Sequence, residues 1–91
     1  MLNKTKKQKL IDKYKTHATD TGSPQVQIAI LTEEVKELTK HLRDHKKDFS
    51  SRRGLVKKVT ERRRLMRYLK REDKKAYEAL IADLKIRPLS E

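Results

Sequence analysis

Apolar residues along this chain recur every three or four positions, which is the period of an amphipathic helix. The longest such run follows Ser23-Pro24, a pair that favours a helix start because serine caps the first turn and proline fits its first position. The pattern continues from Pro24 to about Asp44 and predicts a helix about 30 Å long. Its inward positions form a heptad seam: Ile28, Leu31, Val35, Leu38 and Leu42.

Three further helices are predicted around this long one. The first runs roughly from Lys4 to Lys15, and the third from about Ser50 to Glu72. The last begins after Asp73 as N-cap and ends before Arg87-Pro88. Their inward positions are Leu55, Val59, Met66 and Leu69 on the third helix, with Arg62 between Val59 and Met66, and Tyr77, Leu80, Ile81 and Leu84 on the fourth.

A short polar connection, Asp44 to Phe49, joins the second and third helices and predicts that they lie antiparallel, seam against seam. With 91 residues, two glycines and two prolines, the chain has few places to turn. We therefore expect residues 1–91 to form a single all-α domain of four helices, built on a long antiparallel hairpin.

The net charge of +12 predicts a polyanionic partner: nucleic acid, an anionic membrane surface or an acidic protein. Residues 52–75 hold twelve Lys or Arg against three acidic residues, a net charge of +9. The chain has no run of the ~18 apolar residues that span a bilayer, and its basic N-terminus has no apolar segment behind it. No cysteine is present, so disulfide and thiolate chemistry are excluded, and a cytoplasmic location is expected.

The face of the third helix opposite its apolar stripe carries an aromatic residue among four cations: Arg53, Lys57, Arg64, Tyr68 and Arg71. One interpretation is a solvated basic face whose tyrosine lies on arginine stems or under the first helix. The alternative is a nucleic-acid surface, because such dense positive charge is destabilising until an anion relieves it. Tyr68 would then stack on a base or sugar, or donate its hydroxyl to a 2′-OH, while the arginines hold phosphates.

The turn between the second and third helices is a second candidate site. His41, His45 and Asp48 have the spacing i, i+4, i+7 and share one side of the helix end. A metal half-site is disfavoured, because the chain lacks cysteine and its third histidine, His17, has no spacing that links it to the pair. A polar helix end is the plain interpretation, and hydrogen bonding with Ser51 to base edges in an RNA minor groove is the sharper hypothesis.

Two further patterns narrow the function. Thr21-Gly22-Ser23 is explained by a turn and N-cap, although its exposed amides could also hold a phosphate, and Gln27 one turn later can face outward. No nucleophile motif, glycine-rich phosphate loop or paired-carboxylate pocket is found. We therefore expect neither catalysis nor a cofactor, metal or small-molecule substrate.

Together these motifs resemble a known family. Asp20-Thr21-Gly22-Ser23, Gln27, His41, the block from His45 to Leu55, Arg63-Arg64 and Tyr68-Leu69-Lys70-Arg71 are similar to the small-subunit ribosomal protein fifteen family of bacteria. The likeness covers nearly the whole chain. Departures are Ser50 in place of a frequent histidine, Lys85 where many members end the last helix with glycine, and the tail from Pro88 to Glu91.

The resemblance implies a packed body of helices two to four with a mobile first helix. It implies direct binding to the central domain of small-subunit rRNA, early in assembly of the platform, at a three-way junction and a nearby purine-rich helical motif. By family analogy the junction contacts are Thr21, Gly22, Gln27, Arg64, Tyr68 and Arg71. The contacts to the second motif are His41, Asp48 and Ser51, with His45, Arg52 and Arg53 nearby. An intersubunit bridge to large-subunit rRNA, and small-subunit proteins six and eighteen as neighbours, are implied as well.

Two rival functions remain at this point. The heptad seam also suits a coiled-coil interaction module, although that function leaves the charge of residues 52–75 unexplained. A nonspecific basic protein that compacts DNA would account for the charge but not for the mixture of Asp and Ser at the turn.

Overall fold

The structure is a computed structural model that describes residues 3–15 and 22–89, and within those ranges every regular element is a helix. The helices are α1 (Lys4–Tyr14), α2 (Pro24–Asp44), α3 (Phe49–Glu72) and α4 (Lys74–Leu84). The predicted all-α, four-helix fold is confirmed, with every boundary within one or two residues. No helix in the described part of the chain is long and apolar enough to cross a membrane.

Side-chain caps determine where the helices begin. Asn3 accepts the Lys6 amide at 2.8 Å before α1. Ser23 and Asp73 cap α2 and α4 as predicted, and each accepts the amide three residues ahead. Asp48 caps α3 in the same way, which is why α3 begins at Phe49, one residue earlier than the apolar pattern indicated.

The α2–α3 hairpin is antiparallel, because its cross-helix contacts join residues progressively farther from the turn. His41 contacts Asp48 next to the turn, and Glu34 meets Lys58 at 3.3 Å two helical turns farther away. The seam is only partly buried: Ile28 and Leu38 are buried, whereas its other members are half-buried. The core is the cluster Ile28, Ala29, Met66, Leu69, Tyr77, Leu80, Ile81 and Leu84, in which α4 closes the hairpin toward the start of α2.

Helix α1 packs against this body through Leu10 and Tyr14. The Tyr14 hydroxyl donates to Asp83 on α4, and Lys13 lies 3.5 Å from the same carboxylate. These polar contacts are solvent-exposed, and exposed ion pairs stabilise little. The mobility of the first helix therefore stays a prediction.

The chain turns back on itself after α4. Lys85 adopts the left-handed conformation at φ 56°, and the Ile86 amide then donates to the Ile81 carbonyl at 3.0 Å. The Leu89 amide donates to the buried Tyr77 hydroxyl at 2.8 Å. We call residues 86–89 the C-terminal strap, since these bonds hold them against the helical body.

Replacing Lys85 by glycine should stabilise the protein. A side chain in the left-handed region costs about 1–2 kcal/mol, and the greater freedom of glycine in the unfolded chain offsets part of the gain. We expect Lys85→Gly to raise the free energy of unfolding by about 0.5–1 kcal/mol in urea denaturation. Lys85→Ala, which keeps the side-chain penalty, should show little gain, and an equal gain in both variants would contradict the backbone explanation.

Candidate nucleic-acid interface

The turn between α2 and α3 is organised around the carboxylate of Asp48. One oxygen accepts the Ser51 amide at 3.1 Å, and the other accepts the Ser51 hydroxyl at 2.7 Å. The second oxygen also lies 2.8 Å from Nε2 of His41. These hydrogen bonds hold the pKa of Asp48 well below its usual range. The bond to His41 contributes most, followed by the bonds from Ser51. The structure therefore brings three of the turn residues predicted from sequence, His41, Asp48 and Ser51, into one network, which we call the turn network.

Neighbouring side chains extend this surface. The His45 ring lies beside that of His41, with 4.4 Å between ring centroids. Arg52 donates to the Lys46 carbonyl at 2.9 Å and so fastens the turn. Arg53 reaches the Ser50 hydroxyl at 3.4 Å. In the described part of the chain, no group of three His, Asp or Glu side chains is placed to hold a metal ion.

The basic face of α3 is exposed as its helical period predicted. Tyr68 is 46% exposed, so neither the core nor α1 covers it. The Arg71 guanidinium lies over its ring at 5.5 Å from the centroid, a cation–π contact that orients both side chains. Arg64 pairs with Glu61 at 3.3 Å, an exposed pair that a phosphate can displace at little cost. We call Arg53, Lys57, Arg64, Tyr68 and Arg71 the α3 face.

The start of α2 contributes two more of the expected residues. Gln27 is exposed, and its side-chain amide donates to the Gly22 carbonyl at 2.5 Å. Thr21, also expected here, lies outside the described residues.

The α3 face runs along the helix from Arg53 near the turn to Arg71 near its far end, and the other candidate residues lie at the two ends of the hairpin. Because α2 and α3 are antiparallel, Gly22 and Gln27 lie at the same end as Tyr68 and Arg71, whereas the turn network is at the other. Gln27 and His41 are fourteen positions apart, which corresponds to about 20 Å along the helix. A ligand that touches both ends must therefore present two features at that separation.

Two features of the structure were not predicted from the sequence. Phe49 and Val56 are about 60% exposed on α3, and the Arg52 guanidinium lies 5.9 Å from the Phe49 ring centroid. Arg62 occupies a position on the apolar stripe of α3, and the structure shows that it lines a groove beneath the C-terminal strap. The sequence did indicate that Arg62 is unusual, since arginine is almost never fully buried unless its charge is paired.

The chain is similar to known proteins over nearly its whole length. The family model described as ribosomal protein S15 matches residues 6–87. A small ribosomal subunit protein uS15 from Caldanaerobacter subterraneus subsp. tengcongensis is 55% identical over 87 residues, covering 96% of this chain and 99% of the relative. Proteins of the same name from Carboxydothermus hydrogenoformans and Lactiplantibacillus plantarum are 55% and 52% identical, each covering 94% of this chain and 97% of the relative.

Loss of the Asp48 carboxylate should destabilise the protein in a pH-dependent way. The folded-state pKa is depressed below the ordinary 3.8, so the stabilisation is present above that pH and is lost as the pH falls below it. We expect Asp48→Ala to lower the melting temperature at pH 7 and to approach the wild-type value near pH 2, as measured by circular dichroism. Glu78→Ala, which removes an exposed carboxylate on α4, is the control and should have little effect. A deficit for Asp48→Ala that is the same at both pH values would contradict the role of the charged network.

Proposed function

Because the chain belongs to the ribosomal protein S15 family, we propose that it binds small-subunit rRNA directly, as a non-enzymatic structural constituent of the small ribosomal subunit. Its place of action is the cytoplasmic ribosome. The proposed targets are a three-way junction in the central domain and an adjacent purine-rich helical motif. Through this binding the protein would nucleate the platform, lie beside small-subunit proteins six and eighteen, and contribute an intersubunit bridge to large-subunit rRNA.

The observation that carries this proposal is the exposure of Tyr68 among arginines. An aromatic side chain that packs in no core, beside Arg64 and Arg71, offers a ring for stacking, a hydroxyl for a ribose and charges for phosphates. Gly22 and Gln27 at the same end of the hairpin add polar groups to this junction surface, and Thr21 belongs with them by family analogy.

The turn network supports the second contact. When Nε2–H of His41 donates to Asp48, the neutral ring leaves Nδ1 as a hydrogen-bond acceptor. The Ser51 hydroxyl also donates to Asp48, which leaves its oxygen as an acceptor. Two acceptors held at the turn suit the amino group of guanine, the one base-edge donor in a minor groove. Asp48 thus serves mainly to orient its neighbours, while His45, Arg52 and Arg53 lie close enough to reach flanking phosphates.

A nonspecific DNA-compacting protein is the rival function. Gel-shift titration against a junction-containing small-subunit rRNA fragment and a DNA duplex of equal length distinguishes the two. We expect tighter binding to the rRNA fragment, with log K falling by roughly 0.7–0.9 per neutralised phosphate for each log unit of salt. Equal affinity for both nucleic acids would refute specific recognition.

Tyr68→Phe tests the junction surface, because it keeps the ring and removes only the hydroxyl. If that hydroxyl bonds the RNA, affinity for the rRNA fragment should fall by about 1 kcal/mol, roughly fivefold. The melting temperature of the free protein should not change, since Tyr68 is exposed. Normal RNA binding with an earlier melt would assign the tyrosine a structural role instead.

Asp48→Ala separates orientation from charge at the turn. Electrostatics alone predicts tighter RNA binding when an acid is removed, whereas loss of the turn network predicts binding weakened about tenfold. Ser51→Ala should weaken binding to the same RNA motif selectively, and Lys46→Ala, the matched charge control, should weaken all RNAs alike. Tighter binding of Asp48→Ala to the rRNA fragment would refute recognition by the turn.

A further inference from the structure

A groove of about 590 Å³ lies between α3 and the C-terminal strap, away from the turn network. Four arginines line it: Arg62, Arg63, Arg67 and Arg87. Its apolar walls include Met66 from α3 and Leu89 from the strap. No carboxylate belongs to the lining within the described residues, and the four arginines make the groove strongly positive.

Arg62 is the most constrained of these cations. Its Nε atom is buried and has no hydrogen-bond acceptor among the described residues. Burial lowers the pKa of Arg62, and the nearby charge of Arg63 lowers it further. A buried donor without an acceptor is destabilising, so the stability of the free protein does not explain why an arginine occupies this position on the apolar stripe.

The cationic surface continues beyond the groove toward the α3 face. Arg67 and Leu89 also border a second, shallower hollow, whose other walls are Lys70, Arg71 and Lys74. Arg71 belongs to the α3 face, so the groove and that face are joined along one side of α3. Such a continuous track fits an extended polyanion better than a single small anion.

We propose that the groove under the C-terminal strap binds a phosphodiester of an RNA backbone, with the guanidinium charge of Arg62, which lines the groove, as its central cation. Arg63 and Arg87, which form no ion pair within the described residues, supply the remaining charge. This site rests on the proposed RNA-binding function and adds a third contact, outside both the turn network and the α3 face. The bound phosphate relieves the mutual repulsion of Arg62, Arg63 and Arg87 in the free protein.

The strap makes this contact stronger than an ordinary surface pair. Its apolar residues shield one side of the groove from water, and charge-assisted hydrogen bonds strengthen as the local dielectric falls. The Leu89–Tyr77 hydrogen bond holds the strap in place before RNA arrives, so little ordering is required on binding.

Arg62→Met provides the sharpest test, because the site and a structural role predict opposite results. Methionine keeps the aliphatic stem and removes the unsatisfied donor, so the free protein should melt at a higher temperature. Affinity for the junction-containing rRNA fragment should fall about tenfold, the loss expected for a charge-assisted contact. A variant that melts earlier, or that binds the fragment like wild type, would overturn the proposal.

A double variant, Arg63→Gln with Arg87→Gln, tests the rest of the groove at exposed positions. Its matched control is Lys9→Gln with Lys75→Gln, which removes the same charge from exposed positions outside the groove. The groove variant should reduce the salt slope by roughly 1.4–1.8, the value for two phosphate contacts, while the control leaves it unchanged. Equal slopes for the two double variants would overturn the proposal.

Failure of this inference is distinguishable from failure of the proposed function. If wild type prefers the rRNA fragment over duplex DNA but the groove variants behave like the lysine control, only the groove inference is overturned. If wild type shows no such preference, recognition of rRNA is overturned. In that case the same groove variants are tested against whichever RNA the wild-type protein binds. If it binds no RNA, both proposals are overturned.

Discussion

The apolar stripes of α2 and α3 face each other along the hairpin. Their contact fixes the positions of the polar groups that we propose to bind RNA. Burial of Ile28, Met66 and Leu69 holds the two helices in register. The partly buried Glu34–Lys58 pair opposes sliding of one helix past the other. Because helices are stiff, that register sets the distance between the turn network and the junction surface.

This scaffold carries more positive charge than a free protein needs. The excess positive charge on α3 repels itself, and the buried Nε of Arg62 has no acceptor among the described residues. Both features weaken the isolated chain, and a bound polyanion relieves the charge repulsion. In the proposed function, stability and binding are therefore coupled, since the cations that repel one another in the free protein gain most when RNA binds.

Sequence patterns predicted the helices because each start carries its own cap, as Ser23 and Asp73 show. They also predicted the exposure of Tyr68, since helical period alone decides which face it occupies. They could not specify the turn network: the carboxylate of Asp48 had several possible partners, and only the folded turn selects His41 and Ser51. The groove was not predictable either, because its outer wall comes from a strap whose return over α3 depends on long-range packing.

A rigid hairpin should present its two recognition surfaces at one fixed separation. Changing the distance between the two RNA features tests this most directly. Base pairs would be inserted or deleted between the three-way junction and the purine-rich motif of the rRNA fragment, and the affinity measured by gel shift at constant salt. We expect one optimal spacing, with affinity falling on either side toward that of a fragment containing the junction alone. Affinity that does not depend on the spacing would show that the two surfaces do not bind together, and would contradict the account.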